Sequence, residues 1–323
     1  MPIQVKEIQV VLAKIEATEG TDPTPAAGDA IQLMDDATLT YGAEQNNPRP
    51  GLANQLLDEA APLAPAAKYA ELQLKFYVRG SGTSYTAGIS FEGDAIMQAA
   101  GFSATFTTNK WDYDTVSTGL KTVTLYCWQG VNTGVAPVLH KITAARVSKL
   151  EFTGEAGQPG IITATIRGLY NAPTDAAMTT PTYKTSVPPL TAMAASFSYA
   201  GAATYVVRKF SVSIDNTLTS RKNVNVADAL AGYLITHRKM TWSVTMEAGL
   251  VADYNPVAGW IAGTAAVLAL AWGSAAYNKL SLTADKAVIA DPPKYGDDGG
   301  VRTWDLGGTI SPEGTNRLKV TTD

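Results

Sequence analysis

One pattern occurs twice in this chain, and it limits the fold more than any other feature. On the N-terminal side, "AELQLKFYVRG" (70–80) alternates apolar and polar residues with the period of a strand. "FEGDAIMQAAG" (91–101) reads as a short helix, with Asp94 near its start and Gly101 placed to end it in a left-handed cap. "KTVTLYCW" (121–128) is a β-branched and aromatic strand, and 139–168 gives three strand-like pieces, the last two separated by a Gly-Gln-Pro-Gly turn. The C-terminal side runs in the same order. "KMTWSVTMEAG" (239–249) is the alternating strand. "DYNPVAGWIAG" (253–263) is the short helix, with Asp253 or Asn255 as cap, Pro256 in the first turn and Gly263 as the stop. "AAVLALAW" follows as a strand, and 277–308 gives paired strands about a Gly- and Asp-rich turn. A further strand precedes each block, within 30–42 and 205–215, and residues 102–120 read as an insertion unique to the first copy.

Between the copies lies "YNAPTDAAMTTPTYKTSVPPL" (170–190), whose four prolines cannot serve a central strand and favour an extended tether. The expected division is an N-terminal arm (1–29), a first β domain (30–172), a Pro/Thr-rich linker (173–192) and a second β domain (193–323). The fold class is mainly β: two tandem β-sandwich or half-barrel units, each with one short flanking α-helix. With 46% hydrophobic and 17% charged residues, 323 positions can build real cores and do not describe a disordered chain.

The inventory of chemistry is sparse. A single cysteine, Cys127, excludes an intramolecular disulfide and reads as a small apolar strand residue. His140 and His237 are the only histidines, and no nucleophile elbow, HExxH helix or P-loop accompanies them. Asp291, Asp297 and Asp298 lack the spacing of a calcium loop and suit a hairpin turn. A formal charge of −4 with no basic run argues against tight binding of nucleic acid. The apolar start carries Lys6, Glu7, Lys14 and Glu16, unlike a signal peptide. The uncharged stretch 254–278 is long enough to span a bilayer, but Gly259, Gly263 and Gly273 break it into a short helix, a turn and a buried strand. No catalytic, cofactor-binding or metal residues are therefore expected, and the chain reads as structural rather than enzymatic.

The loop 41–69 is the exception to ordinary solvated loops. Its polar front gives way to leucines that suit a partner surface, and Tyr41, Glu44, Pro48, Arg49, Leu52, Leu56 and Leu57 are its candidate contact residues.

Against this background a family resemblance stands out. "VLAKIEATEGTDPTPAAGDAIQL" (11–33), "AIMQAAGF" (95–102), "TVTLYCWQGV" with "LHKITAARV" (122–147), "YNAPTDAAMTTPTY" (170–183), "YLITHRK" (233–239) and "KYGDDGG" (294–300) resemble, in order, the tail tube proteins of long-tailed bacteriophages. The resemblance implies subunits that join sheets into rings and rings that stack into a hollow virion tube, assembled in the host cytoplasm without a membrane or a cofactor. DNA would pass through the tube without specific binding. Expected partners are the tape-measure, distal-tail and tail-terminator proteins. A doubled unit implies homotrimeric rings with pseudo-sixfold symmetry, with homohexamers as the alternative, and suggests the siphovirus-like, sheathless type. Asp35, Asp36, Glu71, Glu151 and Glu247, assigned to sheet strands, are candidates for an acidic lumen that repels phosphate. The arm 1–29 and the 41–69 loop are expected to stack rings, the arm ordering only on assembly. Competing readings are another tail ring, such as a baseplate or terminator protein, and a carbohydrate-binding β-sandwich carrying Trp111, Trp128, Trp242 and Trp260.

Overall fold

The computed structural model describes residues 4–44, 65–131, 136–192, 196–200, 205–311 and 317–323 and is mainly β. In the first half, β1 (Gln4–Ile15), β2 (Ala30–Ile31), β3 (Thr38–Glu44) and β4 (Ala66–Tyr77) precede helix α1 (Asp94–Ala99). A hairpin follows, made of β5 (Phe102–Thr107) and β6 (Lys110–Thr115), then β7 (Val123–Val131), β8 (Val138–Glu155), β9 (Ile161–Tyr170) and β10 (Thr174–Asp175). The second half holds β11 (Ser196–Tyr199), β12 (Val207–Lys222), β13 (Leu230–Glu247), α2 (Pro256–Ala262) and β14 (Ala266–Ala275). It ends with β15 (Asn278–Ile289), β16 (Lys294–Asp298), β17 (Val301–Ile310) and β18 (Lys319–Thr322).

Every pairing between these strands is antiparallel. Neighbours in the first half run β3–β4–β9–β8–β7–β1, and in the second β12–β13–β17–β15–β14–β11, with β16 beside β17. Each half thus uses the same order of neighbours, with its helix between the second strand of the first hairpin and the next strand. The β5–β6 hairpin has no counterpart between α2 and β14. Two pairings join the halves. β12 lies against β8, from Lys209 opposite Glu155 to Asp215 opposite Lys149, and β18 bridges β15 and β6.

Local chemistry explains the helix ends. The Asn255 side chain accepts from the Ala258 N–H at 3.0 Å, Pro256 stands at the first turn, and Gly263 closes α2 with φ 60°. The β16–β17 turn needs positive φ at both central positions, and Gly299 and Gly300 supply it at 63° and 85°. A contiguous core then spans both halves. Its largest buried side chains include Trp272, Phe76 and Phe152, each worth roughly 1.5–3 kcal/mol when fully buried.

Four expectations change. Residues 4–15, placed in an arm that orders on assembly, form β1 along β7, with Val11 and Leu12 fully buried. Both faces of β1 are covered over residues 10–13: Val11 and Ala13 enter the main core, while Val10 and Leu12 join Tyr126, Trp128 and Leu139. The strand expected over 30–42 is two short strands, because β2 pairs with β1 and β3 with β4; the chain crosses between them through a bend at 34–35. The first two of the three pieces in 139–168 are one strand, β8, irregular between Thr143 and Arg146 where Ala144 takes φ 49°. That bulge lets β8 pair with β7 at one end and β12 at the other. The proline-rich stretch, expected as a tether, carries the two-residue strand β10 and a turn at 184–187, and it is fastened along the first half by Thr182 N–H to Ala27 O (2.9 Å) and Leu190 N–H to Val78 O (2.8 Å).

Candidate assembly surface

Strand alternation divides the sheet β4–β9–β8–β12–β13–β17 into two faces. One is apolar and enters the core through Leu72, Ile166, Phe152, Val212, Val244 and Leu306. The other is rich in hydroxyls. Across it runs the row Lys75, Thr163, Glu151, Ser213, Thr241, Thr309, and beside it Tyr77, Ile161, Thr153, Ser211, Ser243, Gly307. The hydroxyls bond one another and nearby carboxylates, as in Ser211–Ser243 at 2.9 Å and Thr245 to Asp305 at 2.7 Å.

Glu71, Glu151 and Glu247 all sit at positions of this polar face, and each has a basic partner. Arg167 is 2.6 Å from Glu71, Lys149 is 3.1 Å from Glu151, and Arg208 is 2.8 Å from Glu247. Asp35 and Asp36 are not on strands. They lie between β2 and β3, Asp35 within 3.9 Å of Lys75. A short Asp-Asp segment favours a bend over a ladder, which is why the strand assignment failed there. The face is therefore close to charge balance, and opposite charges at short range damp each carboxylate's outward field.

At the ends of this surface lie two strand edges, each paired on one side only among the described residues: β3, bonded to β4, and β16, bonded to β17. Of the candidate loop residues, Tyr41 and Glu44 are strand residues of β3. Tyr41 bonds His140 Nδ1 through its hydroxyl, packs edge-on to Tyr170 at 5.5 Å, and is pushed up to about 12 by burial. Burial likewise lowers His140. Glu44 pairs with Lys222 at 2.6 Å. Pro48, Arg49, Leu52, Leu56 and Leu57 lie outside the described residues.

The two helices have different surroundings. α1 buries Ile96, Met97 and Ala99, whereas only Pro256 of α2 is buried. Around α2, Leu250, Val251 and Ile261 are 74%, 69% and 74% exposed.

Sequence reasoning missed the polar side chains that hold the halves together. Arg146, 4% exposed, donates to Tyr233 O at 2.7 Å, and Arg238 donates to Val116 O at 3.1 Å and Ala100 O at 3.3 Å. Asn278 accepts from Gly80 N–H at 2.8 Å and donates to Pro188 O at 3.1 Å. Nothing in their local sequence signals these roles, since each of these five contacts joins residues more than eighty positions apart.

Chemistry offers little. Among the described residues no group of His, Cys, Asp and Glu is arranged to hold a metal, and no helix is long and apolar enough to cross a membrane. Cys127 is fully buried, and burial pushes its thiol up to about 12, far from a reactive thiolate. A family model described as phage tail tube protein matches residues 8–311. No curated protein matches the chain.

Proposed function

The chain belongs to the phage tail tube protein family, a structural component of the virion, and from that premise we propose that it polymerises as stacked rings into the hollow tail tube. The tube encloses the tape-measure protein during assembly in the host cytoplasm and conducts DNA during ejection. Distal-tail and tail-terminator proteins cap its ends.

The observation that carries the finer reading is the matched order of strand neighbours in the two halves, β3–β4–β9–β8–β7–β1 and β12–β13–β17–β15–β14–β11. It supports a tandem duplication in which one chain supplies two tube units. Three chains then make a pseudo-sixfold ring of the sheathless, siphovirus-like type. The polar sheet face suits the lumen. Its hydroxyls and paired charges give phosphates no cationic track to adhere to, so DNA slides without specific binding. Glu71, Glu151 and Glu247 contribute to that face through balance rather than through a strong acidic field.

Sedimentation of the purified protein over a concentration series, followed by negative-stain electron microscopy, tests the reading. Pelleted hollow tubes are expected. Particles of one ring that never stack would assign the chain to a different tail ring.

A further inference from the structure

Within one chain, the junction of β8 with β12 serves as a template for a contact between chains. Residues 149–153 of β8 lie between β9 and β12, with Lys149 opposite Asp215 and Thr153 opposite Ser211. On the β9 side, Lys149 faces Thr165 and Thr153 faces Ile161. In the second half the same five-residue ladder recurs: Lys294 faces Asp305 and Asp298 faces Val301, the first residue of the return strand β17. β16 is therefore the counterpart of 149–153, yet no described strand lies on its outer side.

The other half of the template also has a counterpart. Ser213 of β12 faces Thr241 of β13, which faces Thr309 of β17. Gly42 of β3 faces Tyr69 of β4, which faces Leu169 of β9. β3 thus corresponds to β12, and its outer edge is also unpaired by any described strand. The register irregularity near Gly42 puts the extra residue on β4, where Ala67 takes φ 51°, and leaves β3 regular.

We propose that β3 of one copy pairs antiparallel with β16 of the next, placing Thr40 opposite Asp298 and Glu44 opposite Lys294 of that copy. This inference rests on the tube reading and names its lateral contact. Transposing Lys149–Asp215 onto the new junction gives Lys294–Glu44, so the opposite charges recur, with Lys222 beside Glu44 in its own chain. A second observation agrees. The β12–β13 hairpin also reaches the end of α1, where Asn216 donates to Ala100 O at 3.0 Å and Arg238 at 3.3 Å. The same transposition carries the β3–β4 hairpin of the next copy toward α2, where Ile261, and Leu250 and Val251 in the segment before the helix, are exposed in the single chain. The contact is head-to-tail, so it closes into a ring or runs on as a filament, and ring closure leaves neither the β3 nor the β16 edge free.

Register makes the test sharp. Opposed residues of an antiparallel pair have Cα atoms about 4.5–5.5 Å apart, within disulfide reach. A Thr40→Cys, Asp298→Cys chain carrying Cys127→Ala is assembled, oxidised mildly and run on a non-reducing denaturing gel. The control pairs Thr40→Cys with Lys294→Cys, displaced by about 13 Å along the strand. Covalent dimers and trimers are expected at roughly ten times or more the control's yield. Tubes that form without cross-links, or with equal yields for both pairs, overturn the strand pairing and leave the tube reading intact. If the unsubstituted chain never assembles, the tube reading falls first and this contact with it. Hydrogen exchange on unsubstituted tubes checks the contact without substitutions: amides of β3 and β16 become protected on assembly, and unchanged exchange there overturns it.

Discussion

Lys149 on β8 stands directly opposite Asp215 on β12, at the point where the sheet of the first half continues into the second. The junction is an ordinary antiparallel ladder rather than a loose domain contact, so strand-breaking changes there should act on the whole fold.

Proline substitution separates this inner strand from an edge. Ser213 lies on β12 with β8 on one side and β13 on the other. Ser213→Pro should cost about 3 kcal/mol or more. Asp297 lies on β16, next to the closing pair Asp298–Val301 of a two-residue turn, so its N–H points to the open edge. Asp297→Pro should cost under about 1 kcal/mol in the unassembled chain while blocking assembly. Urea unfolding of both variants, with sedimentation of the second, checks the pair.

Asn278→Ala leaves the Gly80 N–H and the Pro188 carbonyl without their shared partner in a buried site. A loss of about 2–4 kcal/mol is expected, since each abandoned group costs about 1–3 kcal/mol. Thermal unfolding by calorimetry gives the value. A change below about 0.5 kcal/mol would mean that water replaces the amide.

Asp22 links acidity to stability. Burial alone raises its carboxyl, but hydrogen bonds from Tyr126, the Thr24 N–H and Lys141 outweigh that and hold it below the usual range. A depressed carboxylate contributes stability above its unfolded value, about 3.9, and loses it as pH falls through the lower folded value. Asp22→Asn should therefore cost about 1 kcal/mol at neutral pH, the partly exposed site reducing the usual worth of a charged hydrogen bond. The gap between variant and parent should close as acid protonates Asp22. Urea midpoints across acidic to neutral pH measure it, and a gap independent of pH would show that packing matters instead.

Cys127 should resist a thiol reagent in the folded chain and react at once in denaturant. It is fully buried on β7, and its thiol is raised to about 12. Labelling as fast in buffer as in urea would place the residue at an opening surface.

What the sequence could reveal was decided by the range of the interactions concerned. Asn255, Pro256 and Gly263 define α2 because caps and stops act within one turn. Gly299 and Gly300 likewise mark their hairpin. The bend in β8 lacks such a mark. Ala144 adopts its positive φ because the strand serves two neighbours, which only the assembled sheet requires. β1 carries no such mark either: both faces are covered over residues 10–13, so its apolar run lacks the alternation of a one-sided strand. The sequence assigns Glu71, Glu151 and Glu247 to strands but not to a face; their shared face and their basic partners Arg167 and Arg208 on neighbouring strands emerge only with the register. Asp35 and Asp36 fell outside that logic because no strand carries them.

The central claim is that one chain supplies two tube units. Rotational averaging of end-on electron micrographs of assembled tubes tests it most directly. Threefold symmetry with six lobes, one lobe for each half of three chains, is the predicted result. True sixfold symmetry from six whole chains, or a chain that stays monomeric at every concentration, would contradict it.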